Sequence, residues 1–384
     1  MYRKRLVFWA ACTGMLMFGI SVTILGSIIP DLKEKFHLDE ISSGTLFSIL
    51  PLGVLTGSLL FGPVVDKYGY RIIMAISCIF IFLGFEGIAY VNDKGLLKIF
   101  IFMFGIGGGA VNGATNALVA DISDRDKGAR LSILGAFFGI GALGMPLVLG
   151  ILRNRFSFEV IVAAAGIIAL MAGIFFILIS YPPPKQAQGF PFAGIRALFR
   201  DKILILIAFF LFFQSSFEGI LNNWTTTWLS DHLLVKQGSA LFGLSSFVAG
   251  MIIMRLMIGS IFISVPVRKL MLASFALILA GLLLLKTAGS LLTAMPGLVL
   301  SGAGLAAGFP VMLGITGERF KDISGTAFSF VLSVALIGNM LINYLMGVIA
   351  QNFGISHLVT VAIAEMVILA SLCFIILNRL GNNK

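Results

Sequence analysis

The chain has 384 residues, of which 59% are hydrophobic and only 11% charged; soluble domains carry about 25% charged residues, so this one lacks the charge to cover a water-facing surface. Composition thereby excludes a soluble multidomain protein, a disordered chain and a secreted disulfide scaffold, and leaves a polytopic membrane protein. The net charge of +10, from 27 Lys and Arg against 17 Asp and Glu, has to be placed relative to a bilayer before any nucleic acid is invoked.

Crossing ~30 Å of hydrocarbon takes about 20 helical residues, and runs of that kind follow one another along the chain. The first, 6–29, follows the basic Met1–Arg5. It continues past the about 7–15 apolar residues of a signal peptide, so it is read as a retained span, with Trp9 as an interfacial anchor. The second, 42–63, leads into the loop Gly62-Pro-Val-Val-Asp66-Lys67-Tyr-Gly69-Tyr-Arg71, and the third, 72–91, holds Glu86. The fourth, 98–120, is Gly-rich and carries Asn112 and Asn116; the fifth, 130–152, follows Asp121–Arg130, and the sixth covers 159–181. A polar segment with Pro182-Pro183-Pro184 and Arg196 comes next. The seventh span, 203–228, carries Gln214, Glu218, Asn222, Asn223 and Trp224, with Trp228 a candidate anchor at its outer end. The eighth, 239–262, holds Arg255; the ninth and tenth cover 270–286 and 292–315; the eleventh, 324–347, carries Asn339 and Asn343; the twelfth, 358–379, holds Glu365.

Twelve spans put both termini on one side. With that side cytoplasmic, 18 Lys and Arg fall in inner segments and 8 in outer segments or outer span ends, with Arg255 inside a span. The positive-inside rule therefore places both termini in the cytoplasm, in the inner membrane, and the basic balance needs no nucleic acid. Cys12, Cys78 and Cys373 lie within apolar runs and read as buried hydrophobes. His37, His232 and His357 fall in outer loops or span ends. No metal ligand set, phosphate loop or nucleophile–base set is visible, so neither a cofactor nor an enzymatic reaction is expected.

Sliding the chain by 197 residues superposes Gly53 on Gly250, Arg71 on Arg268, Gly105 on Gly302, Gly107 on Gly304, Asp121 on Glu318 and Gly141 on Gly338. The reading is two parallel-related six-helix bundles, 1–181 and 203–384, joined by a cytoplasmic linker, 182–202. Parallel halves are the layout of one transporter class, with substrate bound near mid-membrane and alternating access by rocking of the halves.

With these residues on the page, the chain resembles the major facilitator superfamily. The loop Gly62 to Arg71 is similar to the family's signature, a Gly followed four residues later by Asp, a basic residue, then Gly and Arg. A weaker copy runs from Arg255 through Gly259 to Arg268-Lys269, with Ile263 where the acid would stand. Within the family, Gly105 to Asn116 and the membrane-embedded Glu218 with Asn and Trp resemble the fucose-permease and glucose/galactose-transporter branch. Asn112 stands where proton-coupled fucose permeases have an acid, and the first span has no acid before Asp31. The resemblance implies an all-α membrane fold of twelve transmembrane helices. It also implies cytoplasmic gate residues at Asp66, Arg71, Asp121, Arg130 and Arg255, with Glu318 the expected partner of Arg255. In this fold the third and twelfth helices are peripheral, so Glu86 and Glu365 are expected to snorkel or pair locally.

Ionisable groups inside a bilayer are expensive, which makes each a site candidate. Gln214, Glu218 and Asn222 are spaced by four residues and share one helix face, with Asn223 and Trp224 beside it. A carboxylate, amides and an indole suit a polyol, whose hydroxyls need donors and acceptors and whose C–H faces stack on rings. Glu218 is equally a proton-coupling candidate, and a structural polar patch is the blander alternative. Asn112 with Asn116, and Asn339 with Asn343, repeat the i, i+4 spacing and either bind substrate or bond neighbouring helices.

The expected function is secondary transport of a small polar solute, a monosaccharide first. The expected partners are the lipid bilayer and a coupling ion, a proton before sodium, and the chain is expected to act as a monomer. The alternative is a drug or metabolite exporter of the same family. The antiporter signature of its fifth helix is matched in part by Gly141-Ala-Leu-Gly144-Met145-Pro146-Leu-Val-Leu-Gly150, where Met145 splits the Gly-Pro pair. A sensor is disfavoured by the short segment between halves.

Overall fold

The computed structural model describes residues 2–123, 127–183, 201–262, 265–320 and 324–381, and among these the regular elements are all helical. They are α1 (Lys4–Phe36), α2 (Glu40–Tyr68), α3 (Tyr70–Tyr90), α4 (Lys94–Ile122), α5 (Lys127–Leu152), α6 (Phe158–Leu178), α7 (Lys202–Thr227), α8 (Gln237–Ser260), α9 (Val267–Thr287), α10 (Leu291–Leu305), α11 (Gly308–Arg319), α12 (Ser324–Phe353) and α13 (Leu358–Gly381). Among the described residues, twelve helical segments are long and apolar enough to cross a membrane, α10 and α11 together forming one of them. Helices follow from the solvent: with no water to bond the backbone, a lone spanning segment must satisfy its own N–H and C=O groups.

Polar residues punctuate the apolar runs. Asp93 caps α4 by accepting from Leu96 N–H at 2.8 Å, and Asp201 caps α7 by accepting from Ile203 and Leu204 N–H, both at 2.9 Å. Between α2 and α3 stands a single residue, Gly69, at φ 78°. That left-handed conformation is open to Gly at little cost, which explains the Gly in the motif read from sequence.

Among the boundaries that differ from the sequence expectation, three have a structural consequence. α1 runs on to Phe36 through Pro30 rather than ending at 29. Its C-terminal end is tied by Asp31, which takes both guanidinium nitrogens of Arg153, with Nη1 to Oδ2 at 2.8 Å. α7 continues into a π-helical turn, Trp228–His232, where Trp228 is 2% exposed and so is no interfacial anchor. The tenth span is two helices, interrupted at Ala306–Ala307. Pro310 supplies the reason: it has no N–H to bond the Ala306 carbonyl, and it sits in the first turn of α11, where that loss is tolerated.

By contacts the chain falls into two units, one holding α1, α3–α6 and most of α2, the other α7–α13 together with Glu40–Thr45. In the first, α1 packs on α5, and α3 packs on α4 and α6. In the second, α7 packs on α12, and α9 packs on α10 and α13. These are the same pairings displaced by six spans. Glycines that matched at an offset of 197 line matching seams, α2–α4 with α8–α10 and α3–α4 with α9–α10. A Cβ on Gly53 would lie 2.5 Å from the Phe102 carbonyl, and one on Gly250 would lie 2.2 Å from that of Val299. Likewise Gly107 meets Ser77 O at 2.4 Å and Gly304 meets Ser274 O at 2.6 Å. Each half is closed by backbone seams of one design.

Candidate functional site

The second unit gathers most of the sequence-predicted residues around α7, which makes a polar contact with each of four neighbours. Gln214, 2% exposed, donates Nε2–H to the Leu305 carbonyl at 2.9 Å, on the last residue before the break between α10 and α11. A Cβ on Gly308, across that break, would lie 2.4 Å from Gln214 Oε1. The amide thus serves a helix end whose carbonyls lack intrahelical donors.

Asn223 Nδ2 donates to Asn343 Oδ1 at 3.0 Å; Asn343 Nδ2 donates to Asn339 O at 2.8 Å and Oδ1 at 3.1 Å; Asn339 Nδ2 donates to Ser215 O at 2.8 Å. This amide chain leaves α7 at one level, runs down α12 and returns to α7 two turns away. Gly219 makes room for it, since a Cβ there would lie 2.4 Å from Asn339 Nδ2. Asn222 is 7% exposed and Trp224 fully buried, so no face of the Trp224 ring lies open.

Glu218 differs from its neighbours: its side chain is 25% exposed, and Oε2 lies 3.7 Å from Arg255 Nη2 on α8, whose side chain is 31% exposed. Arg255 Nε is buried with no hydrogen-bond partner among the described residues. Sequence reasoning expected Arg255 to meet Glu318. Glu318 is instead exposed on the last turn of α11, while the mid-span acid and the in-span base face each other.

The fourth contact was missed. Glu365, expected at the periphery, is 3% exposed and pairs with the hydroxyl of Ser216, itself fully buried, on α7. Position along the twelfth span gives an acid's depth but not the face it occupies, and Ser216 lies far away in sequence.

In the first unit Asn112 and Asn116 bond each other: Asn116 Nδ2 donates to Asn112 O at 2.9 Å and to Oδ1 at 3.0 Å. Asn112 is half-buried and Asn116 exposed. The Gly-rich stretch of α4 serves close packing, as with Gly107 on Ser77. Of the gate candidates, Tyr70 Oη–H donates to Asp121 Oδ2 at 2.7 Å, and Arg71 Nε–H donates to the Ile179 carbonyl at the end of α6 at 3.2 Å. Arg130 stands over the Phe8 ring, 5.8 Å from its centroid. The side chain of Asp66 lies outside the described residues. In the second unit Arg319, at the end of α11, donates from Nε at 3.0 Å and Nη2 at 2.7 Å to Oδ2 of Asp201. Burial pushes the Asp201 carboxyl up, but the Arg319 guanidinium and the Leu204 and Ile203 amides outweigh it and hold the group below its usual value. Among the described residues no group of three His, Cys, Asp or Glu could hold a metal.

Comparison with known proteins follows the same lines. The profile of the Major Facilitator Superfamily matches residues 11–262. The chain is 23% identical to an uncharacterized transporter, y4wD, of Sinorhizobium fredii, over 91% of this chain and 93% of that protein. It is 24% identical to the glucose/mannose transporter GlcP of Bacillus subtilis, over 86% and 84% of the two. The crystal structure of a D-xylose-proton symporter superposes with a TM-score of 0.82 over 96% of each chain at 15% identity, a likeness of fold.

Proposed function

The chain belongs to the major facilitator superfamily, and from that premise we propose that this transporter moves a monosaccharide across the cytoplasmic membrane by alternating access, driven by protons. The observation that carries the reading is the Glu218–Arg255 pair. It sets a carboxylate acceptor and a guanidinium 3.7 Å apart, Oε2 to Nη2, both side chains partly exposed, within the spans. A sugar hydroxyl can donate to the first and accept from the second, so one ring substituent satisfies both without either charge losing its partner. Asn339, half-buried on α12, offers a further amide. The glucose/mannose transporter among the relatives supports a sugar as cargo.

The test is uptake in proteoliposomes from a panel of sugars, organic acids and drugs, with and without proton and sodium gradients. Accumulation of a labelled hexose or pentose on an inward proton gradient is the expected outcome. No sugar uptake together with protonophore-sensitive extrusion of drugs would replace this reading by the exporter.

A further inference from the structure

Glu365 is an in-span acid that the sugar site does not use. It lies within the span of α13, 3% exposed, with Oε1 on the Ser216 hydroxyl and Oε2 without a hydrogen-bond partner among the described residues. Ser216 Oγ is also 3.0 Å from the Phe213 carbonyl oxygen. Proton counting at this hydroxyl decides between two states. Ser216 has one hydrogen and two neighbours that accept. A carbonyl cannot donate. If the carboxyl carries a proton, it donates to Ser216 Oγ, Ser216 donates to Phe213 O, and both contacts are made. If the carboxyl is ionised, Ser216 must turn its hydrogen to Glu365, and the Phe213 contact is lost.

The surroundings favour the first state. α13 packs on α7, α9, α12 and the turn Ile355–His357. The ionisable residues of those elements are Lys202 and Glu218 on α7, Arg268, Lys269 and Lys286 on α9, Tyr344 on α12 and His357 on the turn; α13 itself adds Cys373 and Arg379. None of them is paired with Glu365, and the other acid among them, Glu218, faces Arg255. A buried carboxylate with one neutral donor and no cation is strongly disfavoured, and such groups neutralise instead.

We propose that Glu365 is a proton-binding residue, neutral in this conformation, whose protonation state is passed to α7 through the Ser216 hydroxyl and the Phe213 carbonyl. The recipient is the helix that also carries Glu218, two residues beyond Ser216. Loss of the proton withdraws the Ser216 hydrogen from the α7 backbone, and gain of the proton restores it. Glu365 is thus a positioning residue for the sugar site. The coupling half of the proposal rests on the proton-driven reading above; the protonation half does not.

Two measurements separate them. Infrared difference spectroscopy of the full-length protein in lipid at neutral pH, wild type against Glu365→Gln, should show the carbonyl stretch of a protonated carboxyl that the variant lacks. Ser216→Ala keeps the carboxyl and should move that band. No band, or a band untouched by both substitutions, overturns the site whatever the protein transports. In proteoliposomes, Glu365→Gln should lose proton-driven accumulation at least tenfold while keeping exchange of labelled for unlabelled sugar. Accumulation equal to wild type overturns the coupling. Absence of any sugar transport by the wild type overturns the function and with it the coupling, and leaves the infrared result to decide the site.

Discussion

Glu218 sits one residue from Gly219, whose bare backbone admits Asn339, and its partner comes from the adjacent helix α8. Glu218→Gln keeps the shape and removes the charge. A hydrogen bond to a charged group is worth about 1.5–3 kcal/mol, and each 1.4 kcal/mol is about tenfold, so uptake should fall by about 10- to 100-fold with insertion unchanged. Wild-type kinetics in the variant would remove Glu218 from the site. Much of this constellation is legible in the sequence, because i, i+4 spacing fixes a helix face before any fold is known. The partners are not legible. Arg255 could be paired by reasoning with Glu318 because both read as cytoplasmic, whereas the choice of Glu218 depends on how α8 turns toward α7. Glu365 was misplaced for the same reason: a lone acid in an apolar run carries no mark of which side of the helix meets protein.

Helices themselves are more readable than their partners. Twelve apolar runs predict the spans within a few residues, since the length of a span is set by the bilayer. The break between α10 and α11 escapes a hydropathy reading, although Pro310 and Gly308 were its signal, because average apolarity is blind to a missing N–H. The glycine offset of 197 proves to be a record of helix seams, which yields a test at this scale. Gly250→Val should destabilise by about 1–3 kcal/mol through overpacking against Val299, seen as a lower unfolding midpoint in detergent. Gly144→Ala, with nothing within 4 Å, should be neutral; an equal loss in both would show that the seams are not what holds the halves. Asp201 yields another. Its carboxyl is held below the usual value, so the stability it contributes is fully present above the ordinary carboxylate pKa of about 4 and lost as pH falls through the lowered one. Asp201→Asn should therefore lower the unfolding midpoint at neutral pH, and the gap should close as pH falls below the ordinary carboxylate range. A gap constant with pH would contradict the Arg319 pairing as its source.

For the whole molecule, the distribution of Lys and Arg gives an orientation that composition alone does not. Reporter tags at the N- and C-termini should both be shielded from impermeant reagents in intact cells and reactive after lysis. Labelling of either tag from outside would reverse the assignment. The offset of 197 lines up α1 on α5 with α7 on α12, but it carries no mark of where the second half departs from the first. Asn339 and Asn343 correspond to Ala142 and Pro146, and only the structure shows what that exchange did to the seam.

In the first unit, a Cβ on Gly19 would fall 2.2 Å from Phe138 O and one on Gly141 would fall 2.2 Å from Leu16 O, so α1 and α5 touch backbone to backbone. In the second, the matching helices α7 and α12 meet partly through amide side chains that reach across the gap. A seam of bare backbones behaves as a weld: any slip brings carbonyls into collision. The second seam keeps such a contact too, since a Cβ on Gly338 would fall 2.3 Å from Phe212 O, and the amides are added to it. Two copies of one plan thus share a weld, and the second copy adds a row of rivets to it, along the helix that carries Glu218.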